Sequence, residues 1–264
     1  MSTSAKPAST TPILTVSDGK ALIQLNRPAE HNRIEPQDLE SLIEIYERID
    51  KDNSIRVLVI TGTGKSFSSG FHIGALKERK EGTQKAYDPN AFEKMVDKLE
   101  ELRVPTIAAL NGGVYGGSTD LALACDFRIG VEACRSFMPA ARLGIVYYQS
   151  GLRRYVSRIG VSNAKRMFLT AEPIEAAELL GMGYLTEIVP AGQLMTRVDA
   201  LASQIAANAP LAIAATKKAL NDVAAGRLDP AWHDAARRGC AASEDHREGL
   251  KAWAEKRKPV FQGQ

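Results

Sequence analysis

The segments best suited to chemistry are two glycine-rich turns, each following an apolar run. Gly62-Thr-Gly-Lys-Ser66 comes directly after Arg56-Val-Leu-Val-Ile-Thr61. As a phosphate loop it would cradle phosphates with backbone amides and reach them with Lys65. That motif needs a glycine where Val59 stands inside the apolar run, so the segment reads as a tight turn at a strand end. Gly112-Gly-Val-Tyr-Gly-Gly117 fails the dinucleotide pattern because Val114 takes the place of its second glycine. What remains is a strand, a glycine turn and a helix start. The backbone amides of a helix start suit negative charge, including charge that develops only in a transition state. Asp120 follows Gly117 at about one helical turn. His72 is of a type suited to proton transfer, and it reads equally as a half-exposed loop residue. Cys125, Cys134 and Cys240 are odd in number and form no C-x-x-C pair. This argues against a disulfide scaffold or zinc finger and fits a reducing cytoplasm.

These turns need a large α/β scaffold. The chain has 264 residues, 44% apolar and 25% charged, which excludes disorder, collagen and coiled coil as descriptions of the whole. A net charge of +3, with a basic cluster only at Lys256-Arg257-Lys258, argues against nucleic acid as a partner. No apolar run is long enough for a membrane span, and Met1–Pro12 is rich in Ser, Thr and Pro. Residues 1–11 are therefore expected to be a disordered tail on a cytoplasmic protein. Ile13–Val16 and Ala21–Leu25, separated by Ser17-Asp-Gly19, predict a hairpin. Leu39, Leu42, Ile43, Tyr46 and Ile49 recur at helical spacing, and 56–61 reads as a strand buried on both faces. A further helix near Phe92–Leu102 leads into the strand Thr106–Leu110. Alternating strands and helices predict an α/β fold with parallel neighbours. Past about residue 150 the strand signal nearly disappears, and Val198–Ala207, Leu211–Ala225 and Asp229–Lys256 read as helical. The expected division is an α/β core over 12–195 and a helical region over 196–264.

The stretch Ala108-Ala-Leu-Asn-Gly-Gly-Val-Tyr-Gly-Gly-Ser-Thr-Asp-Leu-Ala-Leu-Ala-Cys-Asp126 closely resembles the signature of the crotonase, or enoyl-CoA hydratase/isomerase, superfamily. Leu25-Asn-Arg-Pro28 with Asn32 resembles the family's N-terminal turn, and Lys65-Ser-Phe-Ser-Ser-Gly-Phe-His-Ile73 its first oxyanion loop. Leu169-Thr170, Glu175-Ala-Ala177, Gly181–Val189 and Ser243–Phe261 match later family segments in order, so the resemblance covers about 12–261. It implies a crotonase-like spiral of ββα turns with a helical C-terminal oligomerisation region, assembled as a homotrimer or as a dimer of trimers. The implied substrate is an acyl-CoA thioester, with coenzyme A as part of the substrate, no separate cofactor and no metal.

The resemblance also implies site residues. The backbone N–H groups of Phe71 and Gly117 would hold the thioester oxygen, stabilising an enolate. Hydratases of the family use two glutamates. Asp120 stands at the first position and is the expected acid/base group, with a surface or helix salt bridge as its other reading. Ala140 stands at the second and cannot transfer a proton. Tyr147, Tyr148 and Gln149 replace a glycine-rich segment and are expected at the acyl pocket, where a tyrosine or water supplies what Ala140 lacks. Glu30, His31, Arg33, Ser69, His72, Ile73 and Lys256 are the expected substrate-binding residues along the CoA moiety. Arg33 reads either as a phosphate contact or as packed elsewhere, and Lys256 either as a phosphate contact from a neighbouring subunit or as a solvated helix face. The expected function is enoyl-CoA hydration or isomerisation. Decarboxylation, thioester hydrolysis, or acyl-CoA binding without catalysis are the alternatives that Ala140 leaves open.

Overall fold

The computed structural model describes residues 11–72, 74 and 88–264. Most of the expected tail, and Ile73, lie outside the described residues. Strands β1 (Ile13–Ser17) and β2 (Lys20–Leu25) form the expected antiparallel hairpin. Asp18 and Gly19 at its tip have φ of 50° and 72°, the left-handed pair that a two-residue turn needs to match strand twist. β2 then pairs in parallel with β3 (Val57–Gly62), β3 with β5 (Thr106–Leu110), β5 with β7 (Phe127–Val131) and β7 with β10 (Glu187–Val189). Every residue of β3 and β5 is buried, which is why these segments read as apolar runs without alternation.

A second sheet is built from short strands in the order β4 (Ser66–Ser68), β6 (Gly113–Tyr115), β8 (Arg135–Phe137), β9 (Ile174–Glu175). Successive passes of the chain give one strand to each sheet: β3 and β4, β5 and β6, β7 and β8. The glycine turns sit where the chain crosses between sheets. Helix α1 (Pro36–Lys51) buries Leu39, Leu42, Tyr46 and Ile49, and α2 (Ala91–Glu101) buries Phe92, Met95, Val96 and Leu99. The short α3 (Gly117–Ala124) is nearly all interior, with Ser118 through Ala124 buried.

After α4 (Gln149–Lys165), α5 (Ala176–Gly181) lies between β9 and β10. The chain then continues as α6 (Leu194–Ala206), α7 (Pro210–Ala224), α8 (Pro230–Ala242) and α9 (Glu244–Ala254). The expected helical stretch over 229–256 is broken at Ser243, whose hydroxyl accepts from His246 N–H and caps α9. α6 straddles the expected boundary at 195/196 and buries Leu194, Val198, Ala202 and Ile205 against β3, β5 and β7.

Candidate active site

The crossing from β4 toward α1's side of the molecule forms the first wall of the site. Ile34 N–H donates to Gly70 O at 2.9 Å and His72 N–H to Ile34 O at 2.9 Å, forming an isolated parallel bridge at Phe71. In such a bridge the N–H of the middle residue points away from the partner strand, so the Phe71 amide faces away from Ile34. Gly70 has φ +93°, and a Cβ there would lie 2.6 Å from Tyr115 O and 3.1 Å from Gly117 N. Only glycine permits this approach. It brings the Phe71 loop directly against the start of α3, where Gly116, with φ +53°, turns the chain into the helix. Ser118 Oγ donates to Ser68 O at 2.9 Å, and Ser68 Oγ donates to Asn32 O at 2.8 Å, so the two walls are tied together by buried hydroxyls.

Asp120, one turn into α3, is completely buried. Its Oδ1 accepts from Arg154 Nε at 3.0 Å, and its Oδ2 from Arg154 Nη2 at 2.7 Å and from the Tyr148 hydroxyl. Arg154 is also fully buried and reaches Asp97 Oδ1 at 2.6 Å and Glu100 Oε2 at 3.2 Å. Burial alone would lower the Arg154 pKa, but hydrogen bonding and charge from Asp120, with Glu100 and Asp97, raise it well above the ordinary value. Glu100 also pairs with Arg153 and with Arg158. Burial would raise its carboxyl, yet the three arginines hold it below the usual glutamate range.

Aromatic rings join this carboxylate to the glycine wall. Tyr147 and Tyr148 stack at 4.3 Å, and Tyr148 meets Phe92 edge-on at 6.3 Å. Phe92 lies 5.5 Å from Phe71, and a Cβ on Gly117 would fall 2.8 Å from its ring. The Tyr147 hydroxyl donates to that of Tyr148 at 3.3 Å. Burial first, then the charge of Asp120, push both phenols well above their ordinary range, so they stay neutral. Ala140 is buried at the start of a short helical turn, Ala140–Leu143, and Gln149 is exposed at the first turn of α4.

On the other side of the Phe71 loop the structure brings together five of the expected binding residues. Ser69 Oγ donates to Glu30 O at 3.1 Å, and Ser69 N–H to His31 O at 2.8 Å. Arg33 pairs with Glu30 at 2.6 Å and with Glu35 at 2.7 Å, and Glu35 also bonds His72 Nδ1 at 2.8 Å. Burial would raise the Glu35 carboxyl, but hydrogen bonds from His72 and Arg33 hold it below the usual range. Lys256 is not part of this cluster; it is exposed beyond α9 with φ +52°.

Residues 15–264 match the family model described as Enoyl-CoA hydratase/isomerase. The chain belongs to the enoyl-CoA hydratase/isomerase family. It is 32% identical over 252 residues to the short-chain-enoyl-CoA hydratase of Clostridium acetobutylicum, covering 93% of this chain and 95% of that one. It is 32% identical over 245 residues to the 2,3-dehydroadipyl-CoA hydratase of Escherichia coli, covering 92% and 94%. The crystal structure of an enoyl-CoA hydratase from Bacillus anthracis superimposes with a TM-score of 0.87 at 30% identity, over 96% of this chain and 100% of that one. Membership makes the chain an enzyme of the lyase or isomerase kind with a crotonase fold. Against the family frame, sequence reasoning missed Arg154, which holds Asp120, and Phe92, which packs on Gly117. Phe92 was legible only as the start of an expected helix, and Arg154 was not singled out at all. The available signal was that a carboxylate on an otherwise apolar helix needs a buried cation.

Proposed function

We propose that the protein is an acyl-CoA enzyme that hydrates or isomerises an enoyl thioester, with the N–H groups of Phe71 and Gly117 as its oxyanion hole. The observation that supports this reading is the seating of Gly70 against Tyr115 O and Gly117 N, which packs the Phe71 loop against the start of α3. Donors fixed in place before charge develops stabilise an enolate without reorganisation. Asp120 is the carboxylate that holds the proton in transit, and Tyr147 and Tyr148 border the acyl chain. Glu30, His31, Arg33, Ser69 and His72, gathered at one loop cluster, face the CoA moiety. Arg33 must exchange a glutamate for phosphate to contact it directly. Coenzyme A enters as part of the substrate, with no separate cofactor. The exposed apolar residues Leu220 and Val223 on α7 and Leu250 and Trp253 on α9 support assembly as a trimer or a dimer of trimers.

The test is incubation with crotonyl-CoA and a panel of longer, branched and aromatic enoyl-CoA esters, following loss of the conjugated thioester absorbance and product mass. A product heavier by one water supports hydration, and a product of equal mass with a moved double bond supports isomerisation. Ala140 and the pairing of Asp120 with Arg154 favour one second reading. In that reading the same oxyanion hole serves decarboxylation or thioester cleavage, and product masses on the matching esters separate it from the first.

A further inference from the structure

We propose that Tyr148 is a catalytic residue that meets the acyl group through its hydroxyl, and that Asp120 is a positioning residue that takes and returns a proton only through Tyr148. The inference rests on the acyl-CoA reading above. Asp120 has no exposed surface, so it offers nothing for a water molecule or an acyl chain to touch. A carboxylate has about four acceptor positions. Arg154 fills two and the Tyr148 hydroxyl a third. Tyr148 is the member of this group that is only half-buried. Its ring packs on Phe92, which itself lies on Gly117 and beside Phe71. It therefore joins the buried carboxylate to the rings that pack on the Phe71 loop and the start of α3.

The hydrogen-bond directions define a relay. Tyr148 donates to Asp120 Oδ2 and accepts from the Tyr147 hydroxyl, leaving one phenolic lone pair to accept from a water held at the substrate. In hydration the water O–H bond breaks and its proton goes to the Tyr148 oxygen. The Tyr148 proton moves to Asp120, and the water oxygen bonds to the β-carbon. The alkene electron pair becomes the thioester enolate at the oxyanion hole. The α-carbon then takes a proton from Tyr148, Asp120 returns its proton to Tyr148, and the enzyme is restored with one water added. Arg154 stays protonated throughout and keeps the carboxylate aimed at Tyr148.

The test measures kcat and KM for the wild type, Tyr148→Phe, Asp120→Asn and the double variant on the enoyl ester the wild type turns over best, with thermal melts as the folding control. Tyr148→Phe keeps the ring and removes one hydroxyl; its kcat is expected to fall by about 10²–10⁴-fold with KM little changed. Adding Asp120→Asn to Tyr148→Phe is expected to cost nothing further, because the two act in one chain. A Tyr148→Phe variant with wild-type kcat overturns the proposal, and so does an Asp120→Asn effect as large in the Tyr148→Phe background as alone. If Asp120→Asn does not fold, the kcat and KM of Tyr148→Phe decide alone. A wild type that neither turns over nor binds any enoyl ester overturns the acyl-CoA reading itself, a result distinct from failure of the relay.

Discussion

Removing water from both Asp120 and Arg154 is costly, and the cost is offset only by a two-point geometry that satisfies both groups at once. Arg154→Leu is expected to destabilise the fold by about 3–5 kcal/mol, since it leaves a buried carboxylate without its cation. Chemical denaturation checks this, and a loss below about 1 kcal/mol would mark the pair as energetically idle, as exposed ion pairs often are. Gly70→Ala places a methyl group within 2.6 Å of a backbone oxygen at a φ of +93°, so the Phe71 loop must move away from Gly117. Turnover is expected to fall by about 10²–10³-fold, the cost of losing one oxyanion donor. A Gly70→Ala enzyme with unchanged kcat would separate Gly70 from the site. Gly117 and Phe71 were legible in the sequence as candidates because their motif is local, and their role as donors is the proposal that this variant tests. Arg154 was not, because its partner Asp120 lies 34 residues away and nothing marks it among Arg153, Arg154 and Arg158 as the fully buried one.

Helices α2, α3 and α4 are clamped by charge as well as by apolar packing. Glu100 and Asp97 on α2 and Asp120 on α3 all reach arginines on α4. Glu100 has a folded pKa below its ordinary value of 4.5, so the unfolded chain binds the proton more readily. Its contribution to stability is therefore full above about pH 4.5 and is lost as pH falls through the lower folded value. Glu100→Gln is expected to lower the melting temperature at neutral pH and to flatten its fall in acid. An unchanged acid limb would assign acid sensitivity to other carboxylates. β3 and β5 were legible as unbroken apolar runs and α1 from its helical period. β9 and β10 were not, since runs of two or three residues are too short to display a period.

The candidate site lies where β4 and β6 of the second sheet end and α3 begins. The helical C-terminal region is fastened back onto this core by buried polar contacts. Lys217 of α7 donates to Val104 O at 2.8 Å and pairs with Asp126 at 2.9 Å, while Arg56 donates to Phe261 O at 3.1 Å. The α/β core followed by helices was legible from composition and pattern, whereas the docking of those helices was not, because each contact joins residues more than 90 apart in the chain. The proposed oxyanion hole requires the Phe71 loop and the start of α3 to bind one thioester oxygen between them. It is tested most directly by a crystal structure of the protein with a saturated short-chain acyl-CoA. The thioester oxygen is expected about 2.7–3.1 Å from both Phe71 N and Gly117 N, the range for an oxyanion donor. An acyl-CoA bound with that oxygen on neither amide would rule out Phe71 and Gly117 as the oxyanion hole.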